Sequence, residues 1–290
     1  QGMKVMARFL ALIVLLALVV SAPALAQSTQ QPPPKQPGTP AQPPAKQPDA
    51  AVTAPAGQPP APPVNPEEEA AYKAFFETKD QAVAAKLGEE FIQKFPTTRY
   101  AEYAYTKLTQ IYLSTQELDK LAVVGEKTLA INPDNMDVLT IMCWTTARGT
   151  RSDALDATQK YDKAEKYGRR AVELLTALAK PEAMTEEQFK KTRDEGLSMA
   201  HSGLGVVQFR RQLFTEAAAE FDLAVKLTAN PDPTDLFLHG FVLKASKRHA
   251  EAAEVFGRCG LLPGPFQDSC KKEQADTKKL AETTLAPPKP

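Results

Sequence analysis

The sequence predicts an all-α fold, an array of antiparallel helix pairs, on three observations. Beyond Pro66, apolar residues return every three or four positions, with no stretch of strand-type alternation. Helix breakers separate these runs at Pro96, Asn132-Pro133, Pro181, Asn230-Pro231-Asp232-Pro233 and Pro263-Gly264-Pro265. A set of small, aromatic and closing-proline positions then recurs with a period of roughly 34 residues.

The N-terminal region has a different character. Lys4 and Arg8 precede an uncharged apolar run from Phe9 to Val20, followed by Ser21-Ala22-Pro23-Ala24-Leu25-Ala26. A basic start, an apolar centre and small residues at Ala24 and Ala26 are the parts of a secretory signal peptide over residues 1–26, cut after Ala26. The alternative is an uncleaved membrane anchor over residues 9–26, whose length approaches the roughly 20 residues that cross a bilayer. Pro23 and the small residues end the apolar run early and favour cleavage. Residues 27–66 hold 14 of the 25 prolines and no aromatic or leucine side chain. Such a segment buries too little apolar surface to offset chain entropy, so it is expected to be a disordered, semi-rigid spacer reaching on the order of 100 Å. Residues 67–285 form the helical-repeat domain, with a helix at 268–283 as its polar cap, and 286–290 a disordered tail.

The clearest repeat unit runs from Ala200 to Pro231. It carries Leu204 and Gly205 in a first helix, then Phe214, Ala217, Phe221, Ala224 and Leu227 in a second. Matching places are held by Leu108, Thr109, Tyr112, Leu118, Leu121, Gly125, Thr128 and Pro133. The same spacing continues through Leu139, Met142 and Cys143, with a delayed second helix marked by Tyr161, Ala164, Gly168, Ala171 and Leu174. A later unit has Gly240, His249, Ala252, Phe256 and Cys259, and a divergent early one has Ala84, Phe91 and Pro96.

This pattern resembles the tetratricopeptide repeat (TPR), a helix pair in which small residues let two axes approach and aromatics fill the space between successive pairs. The resemblance covers roughly residues 67–265. It departs from the family at Gly125 and Gly168, where an aromatic is expected, at the interruption from Arg148 to Lys160, and at an additional connector read from Pro181 to Gly196. The stretch Phe91-Ile-Gln-Lys-Phe-Pro-Thr-Thr-Arg-Tyr-Ala-Glu-Tyr-Ala is also similar to junctions of envelope TPR proteins that accompany outer-membrane assembly or cell-division complexes.

Catalytic and metal patterns are not found in the spacing. His201, His239 and His249 are scattered, no Cys-x-x-Cys occurs, and the cysteines form no metal pattern with the histidines. Gly203-Leu204-Gly205 lies inside a helix, without the strand or Lys-Ser/Thr of a phosphate loop, and reads as helix packing. Glu67-Glu68-Glu69 reads as a helix start. Lys+Arg 35 against Asp+Glu 35 gives no basic surplus to recommend nucleic acid. No cofactor, metal or enzymatic activity is therefore expected. Cys259 and Cys270 flank a turn rich in Gly and Pro, and a disulfide between them would staple two helices; two unlinked thiols are the alternative. Cys143, in an apolar helical run, reads as a small core residue.

The TPR resemblance implies a concave groove lined by first-helix residues: Tyr103, Thr106, Gln110, Asp137, Thr140, Trp144 and Arg148, then Met199, Val206, Phe209, Arg210, Phe237, Phe241 and Lys244. Trp144, the only tryptophan, stands one helical turn from Arg148, and such aromatic and arginine pairs anchor interfaces. The alternative is that Trp144, Phe237 and Phe241 pack on neighbouring helices or on the C-terminal segment. The basic series Arg148, Arg151, Lys160, Lys163, Lys166, Arg169 and Arg170 is interleaved with acids and reads as a solvated face with local ion pairs. The function expected is a non-enzymatic interaction scaffold of the cell envelope, periplasmic or secreted, binding a protein or peptide. A membrane contact is expected only if residues 9–26 are retained. A structural spacer with a self-filled groove is the competing reading.

Overall fold

The computed structural model describes residues 65–285, so the signal segment 1–26, all but the last two residues of the linker 27–66 and the tail 286–290 lie outside the described residues. Eleven helices and no strand occur among those described. In order they are α1 (Pro66–Glu77), α2 (Gln81–Lys94), α3 (Ala101–Thr115), α4 (Leu118–Ile131), α5 (Met136–Gly149) and α6 (Ala157–Ala177). They continue as α7 (Glu186–Arg210), α8 (Phe214–Lys226), α9 (Pro233–Ala245), α10 (His249–Leu261) and α11 (Gln267–Leu285). Odd-numbered helices from α1 to α9 are the first members of five pairs, and α11 closes the last pair by packing on α10.

Local chemistry sets most boundaries. Asn65 caps α1, its side chain accepting from the Glu67 and Glu68 amides, with Pro66 in the first turn. Helix therefore begins within the last two residues assigned to the linker. Asp80, Asn135 and Asp232 cap α2, α5 and α9 in the same way. The segment 186–196 is not a connector. It is the first part of α7, nucleated by a capping box in which Thr185 and Gln188 exchange side-chain-to-backbone bonds. The turns inside three pairs share one geometry, with Gln116, Gln212 and Lys247 at φ of 63°, 61° and 62°. In each, the next residue's amide donates back to Tyr112, Gln208 or Leu243, which satisfies a carbonyl at the end of the first helix.

The pairs are held by sizes that answer one another. Where the first helix carries glycine the second carries phenylalanine: a Cβ on Gly205 would lie 2.8 Å from the Phe221 ring, and one on Gly240 would lie 2.7 Å from Phe256. Where the first helix carries Thr109 or Cys143, the second carries Gly125 or Gly168, and Met142 and Leu204 of the following pairs fill the space. The glycines that break the family pattern thus compensate for bulk elsewhere. Gly203 brings α7 closest to α5, with room for no side chain between it and the backbone of Cys143 and Trp144, 3.1 Å from the position of a Cβ. Between the first two pairs, Lys107 donates to the carbonyls of Phe75 and Phe76 at 2.9 and 2.7 Å, completing the end of α1. Burial of its ammonium pulls Lys107 down to about 8.

At the C-terminal end, Cys259 of α10 and Cys270 of α11 are joined by a disulfide with Cα atoms 5.7 Å apart. Both are fully buried, and Cys143 is a buried free thiol. The bond closes a loop across a sequence separation of 11. Cys270→Ser is expected to lower stability by about 2–3 kcal/mol. Urea unfolding of the oxidised wild type and the variant measures this, and equal midpoints would show that packing alone holds α11.

Candidate functional site: the first-helix row

The first helices lie beside one another. α5 packs directly on α7, and α9 joins them through side chains of Arg148 and Phe209. Arg148, in the last turn of α5, donates to Ser202 Oγ of α7 at 2.7 Å and to Asp235 Oδ1 of α9 at 2.5 Å. Ser202 also donates to the same Asp235 oxygen at 3.0 Å. The guanidinium lies 4.7 Å from the Trp144 ring centroid, a cation–π contact. Asp232 stands 3.8 Å away on the same flank. Burial pushes the Asp235 carboxyl up to about 6, against the opposing pull of Arg148. Trp144 and Arg148 do meet, as their spacing indicates, but as part of an internal brace across three pairs rather than as a free anchor.

The other groove candidates divide by exposure. Tyr103 and Phe241 are 39% and 43% exposed. Phe209 is half-buried, edge-on to Phe241 at 5.9 Å between centroids, and Arg210 reaches Ser152 Oγ at 3.2 Å. Phe237 stacks on Phe266 at 4.9 Å, packing on the segment that leads into α11. Lys244 pairs with Glu273 of α11 at 2.7 Å. Thr106 accepts from Asn135 at 3.0 Å. Gln110, Thr140 and Val206 are buried and cannot line an open groove. The first-helix register is right for them, but adjacent first helices also pack sideways and cover that part of the face. Asp137, Thr140 and Met199 converge on one hollow where the first turn of α5 meets the end of α6 and the first half of α7.

The basic series carries local ion pairs. Arg151 pairs with Asp153, Lys160 with Asp156, Lys163 with Glu126, Arg169 with Glu165, and Arg170 with Asp134 and Glu173. His201 Nδ1 lies 2.6 Å from Glu220 Oε2, linking α7 to α8. Burial pulls His239 down to about 4, which leaves it neutral at physiological pH. Among the described residues no group of three His, Cys, Asp or Glu is placed to hold a metal ion.

Five successive pairs, small residues at the crossings, aromatics between them and a terminal cap decide the architecture. The chain folds as a tetratricopeptide-type array. No family model and no curated protein matches it. Solved structures similar to this TPR-type array include one described as MamA AMB-1, with 21% identity over 68% of this chain and 87% of that one, at a TM-score of 0.44. A thermophilic TPR protein of Thermus thermophilus has 13% identity over 73% and 99%, with a TM-score of 0.44. A tetratricopeptide repeat protein of Parabacteroides merdae has 13% identity over 72% and 96%, with a TM-score of 0.30.

Asp235, Ser202, Phe189 and Glu195 take part in the TPR-type array's row or its hollow without having stood out in the sequence. Asp235 follows Pro233 and has the look of a first-turn acid. Its partner Arg148 is 87 residues away, beyond any local pattern.

Proposed function

We propose that this protein is a non-enzymatic interaction scaffold that holds a peptide or protein partner on its first-helix row, in the cell envelope after export. The observation that carries the reading is the pair of exposed aromatic side chains, Tyr103 and Phe241, on a row whose neighbouring helices are locked together. Rigid aromatics on a preformed surface give contact area at low ordering cost. The C-terminal segment packs on α10 and meets the row at α9, where Phe266 stacks on Phe237 and Glu273 pairs with Lys244, while Phe241 of the same helix stays 43% exposed. The proline-rich segment would give the array reach from an attachment point.

The test compares photo-crosslinked complexes of the full chain in its native envelope with those of a Tyr103→Ala, Phe241→Ala double variant. Both side chains are partly exposed, so the fold is expected to survive and circular dichroism to be unchanged. A discrete partner captured by the wild type and reduced roughly tenfold or more in the variant supports the reading. Equal capture by both would remove the row from the interface. Export further predicts a mature N-terminus at Gln27, read by mass spectrometry of the native protein. Recovery of residues 9–26 in the membrane fraction would replace it with the anchored form.

A further inference from the structure

The hollow between α5, α6 and α7 has mainly apolar walls, from Ile141, Leu175, Leu178, Phe189 and Met199. The space inside is about 40 Å³, too small for a metabolite but enough for the last atoms of one extended side chain. Asp137 stands at its wall in the first turn of α5, and no side chain or amide among the described residues donates to it. The hydroxyl of Thr192, which also lines the hollow, is buried without a hydrogen-bond partner. The other charged residues that line the hollow, Arg193 and Glu195, are both on α7. Arg193 is committed to Asp194 through two bonds of 3.0 and 3.2 Å and lies over the Phe189 ring. Glu195 adds a second acid, subject to the positive charge of Lys191. From α6 the hollow receives leucines.

The geometry points to a recognition pocket for a lysine side chain of the bound partner, its aliphatic stem against the leucine and methionine walls and its ammonium on Asp137, with the Thr192 hydroxyl as a second acceptor. This inference rests on the reading of the first-helix row as a protein-binding face and names the chemistry that the face selects. A compact ammonium suits so small a space better than a planar guanidinium. The pairing would give the carboxylate of Asp137 a cation and the buried, unpartnered Thr192 hydroxyl a donor. Burial holds the empty-pocket carboxyl up at about 7, so an arriving ammonium must draw its proton off, and binding weakens as pH falls below that value.

The probe is n-butylammonium, the lysine side chain without its backbone, titrated into the full chain with labelled methionine methyls and followed by NMR. Saturable shifts of Met136 and Met199 are expected at pH 8, weakening roughly tenfold or more in Asp137→Asn, where the charge pair is lost. Neutral 1-butanol binding as well as butylammonium, or unaltered binding by Asp137→Asn, would overturn the proposal, as would the absence of saturable shifts. Asp137→Asn keeps the side chain's size and removes a charge that no cation pairs, so loss of binding through unfolding is not expected, and thermal melting checks this. Crosslinking separates the two readings. If Tyr103→Ala, Phe241→Ala abolishes partner capture while Asp137→Asn leaves it intact, the row stands and the lysine pocket falls.

Discussion

Methionine in place of Arg148 is expected to lower the unfolding free energy by about 3–4 kcal/mol at pH 8, the largest effect expected of any single charge in this protein. Among the described residues Arg148 is the only cation that reaches Asp235, whose carboxylate is almost wholly enclosed. Methionine keeps much of the stem's volume and removes the charge, leaving an uncompensated anion. The pH dependence follows from the direction of the Asp235 shift. An unfolded aspartate titrates near 3.8, and the native group is raised to about 6. Its native form binds a proton more tightly, so stability from this group is present below about 4 and is lost as pH rises through 6. Removing Arg148 raises the native carboxyl further, and the variant's deficit therefore grows from pH 5 to pH 8. Adding Asp235→Asn to Arg148→Met should recover most of the loss and flatten the pH profile. Urea denaturation at both pH values measures all three proteins, and a deficit independent of pH would mean that Arg148 acts through packing alone.

Phe221→Ala is expected to cost about 3–5 kcal/mol. The ring is fully buried and lies against Gly205 across the α7–α8 pair. Truncation opens a cavity that two helices, already in contact on either side, cannot close. The same contact can be broken from its other side. Gly205→Ala sets a methyl 2.8 Å from the Phe221 ring carbons, and overpacking of this kind costs about 1–3 kcal/mol even though alanine favours helix. If the two act through one contact, Gly205→Ala should be less harmful in a Phe221→Leu background. A double-mutant cycle by chemical denaturation reads the coupling, and additivity within about 0.5 kcal/mol would refute the shared contact.

Much of this arrangement was legible because it is local. Leu204-Gly205 followed by Phe221 announces a close crossing and the aromatic that fills it, and the closing prolines mark where pairs end. The first half of α7 was hidden by composition: Glu186–Glu195 is mostly charged, so its apolar periodicity is weak and Pro181 pulls the reading towards a connector. Thr185 and Gln188, the two residues that start that helix, were nevertheless in plain view. The binding row was legible only by helix. Thr140 stands at a first-helix position, yet its exposure depends on how closely the next first helix approaches, which Gly203 decides from a distant part of the chain. Trp144 and Arg148 show their proximity through helical spacing, whereas the anion that claims Arg148 belongs to a later repeat.

The alternation of large and small residues across the pairs also bears on how the chain finds its structure. Identical repeats can dock in the wrong order, because each offers its neighbours the same surface. Here a slip of one unit between the third and fourth pairs would set Phe221 against Cys143 or leave Gly168 opposite Gly205. Either error carries a clash or a void, so stacks misaligned at that junction are disfavoured. The irregular glycines thus act as a key that tells the second and third pairs from the fourth and fifth.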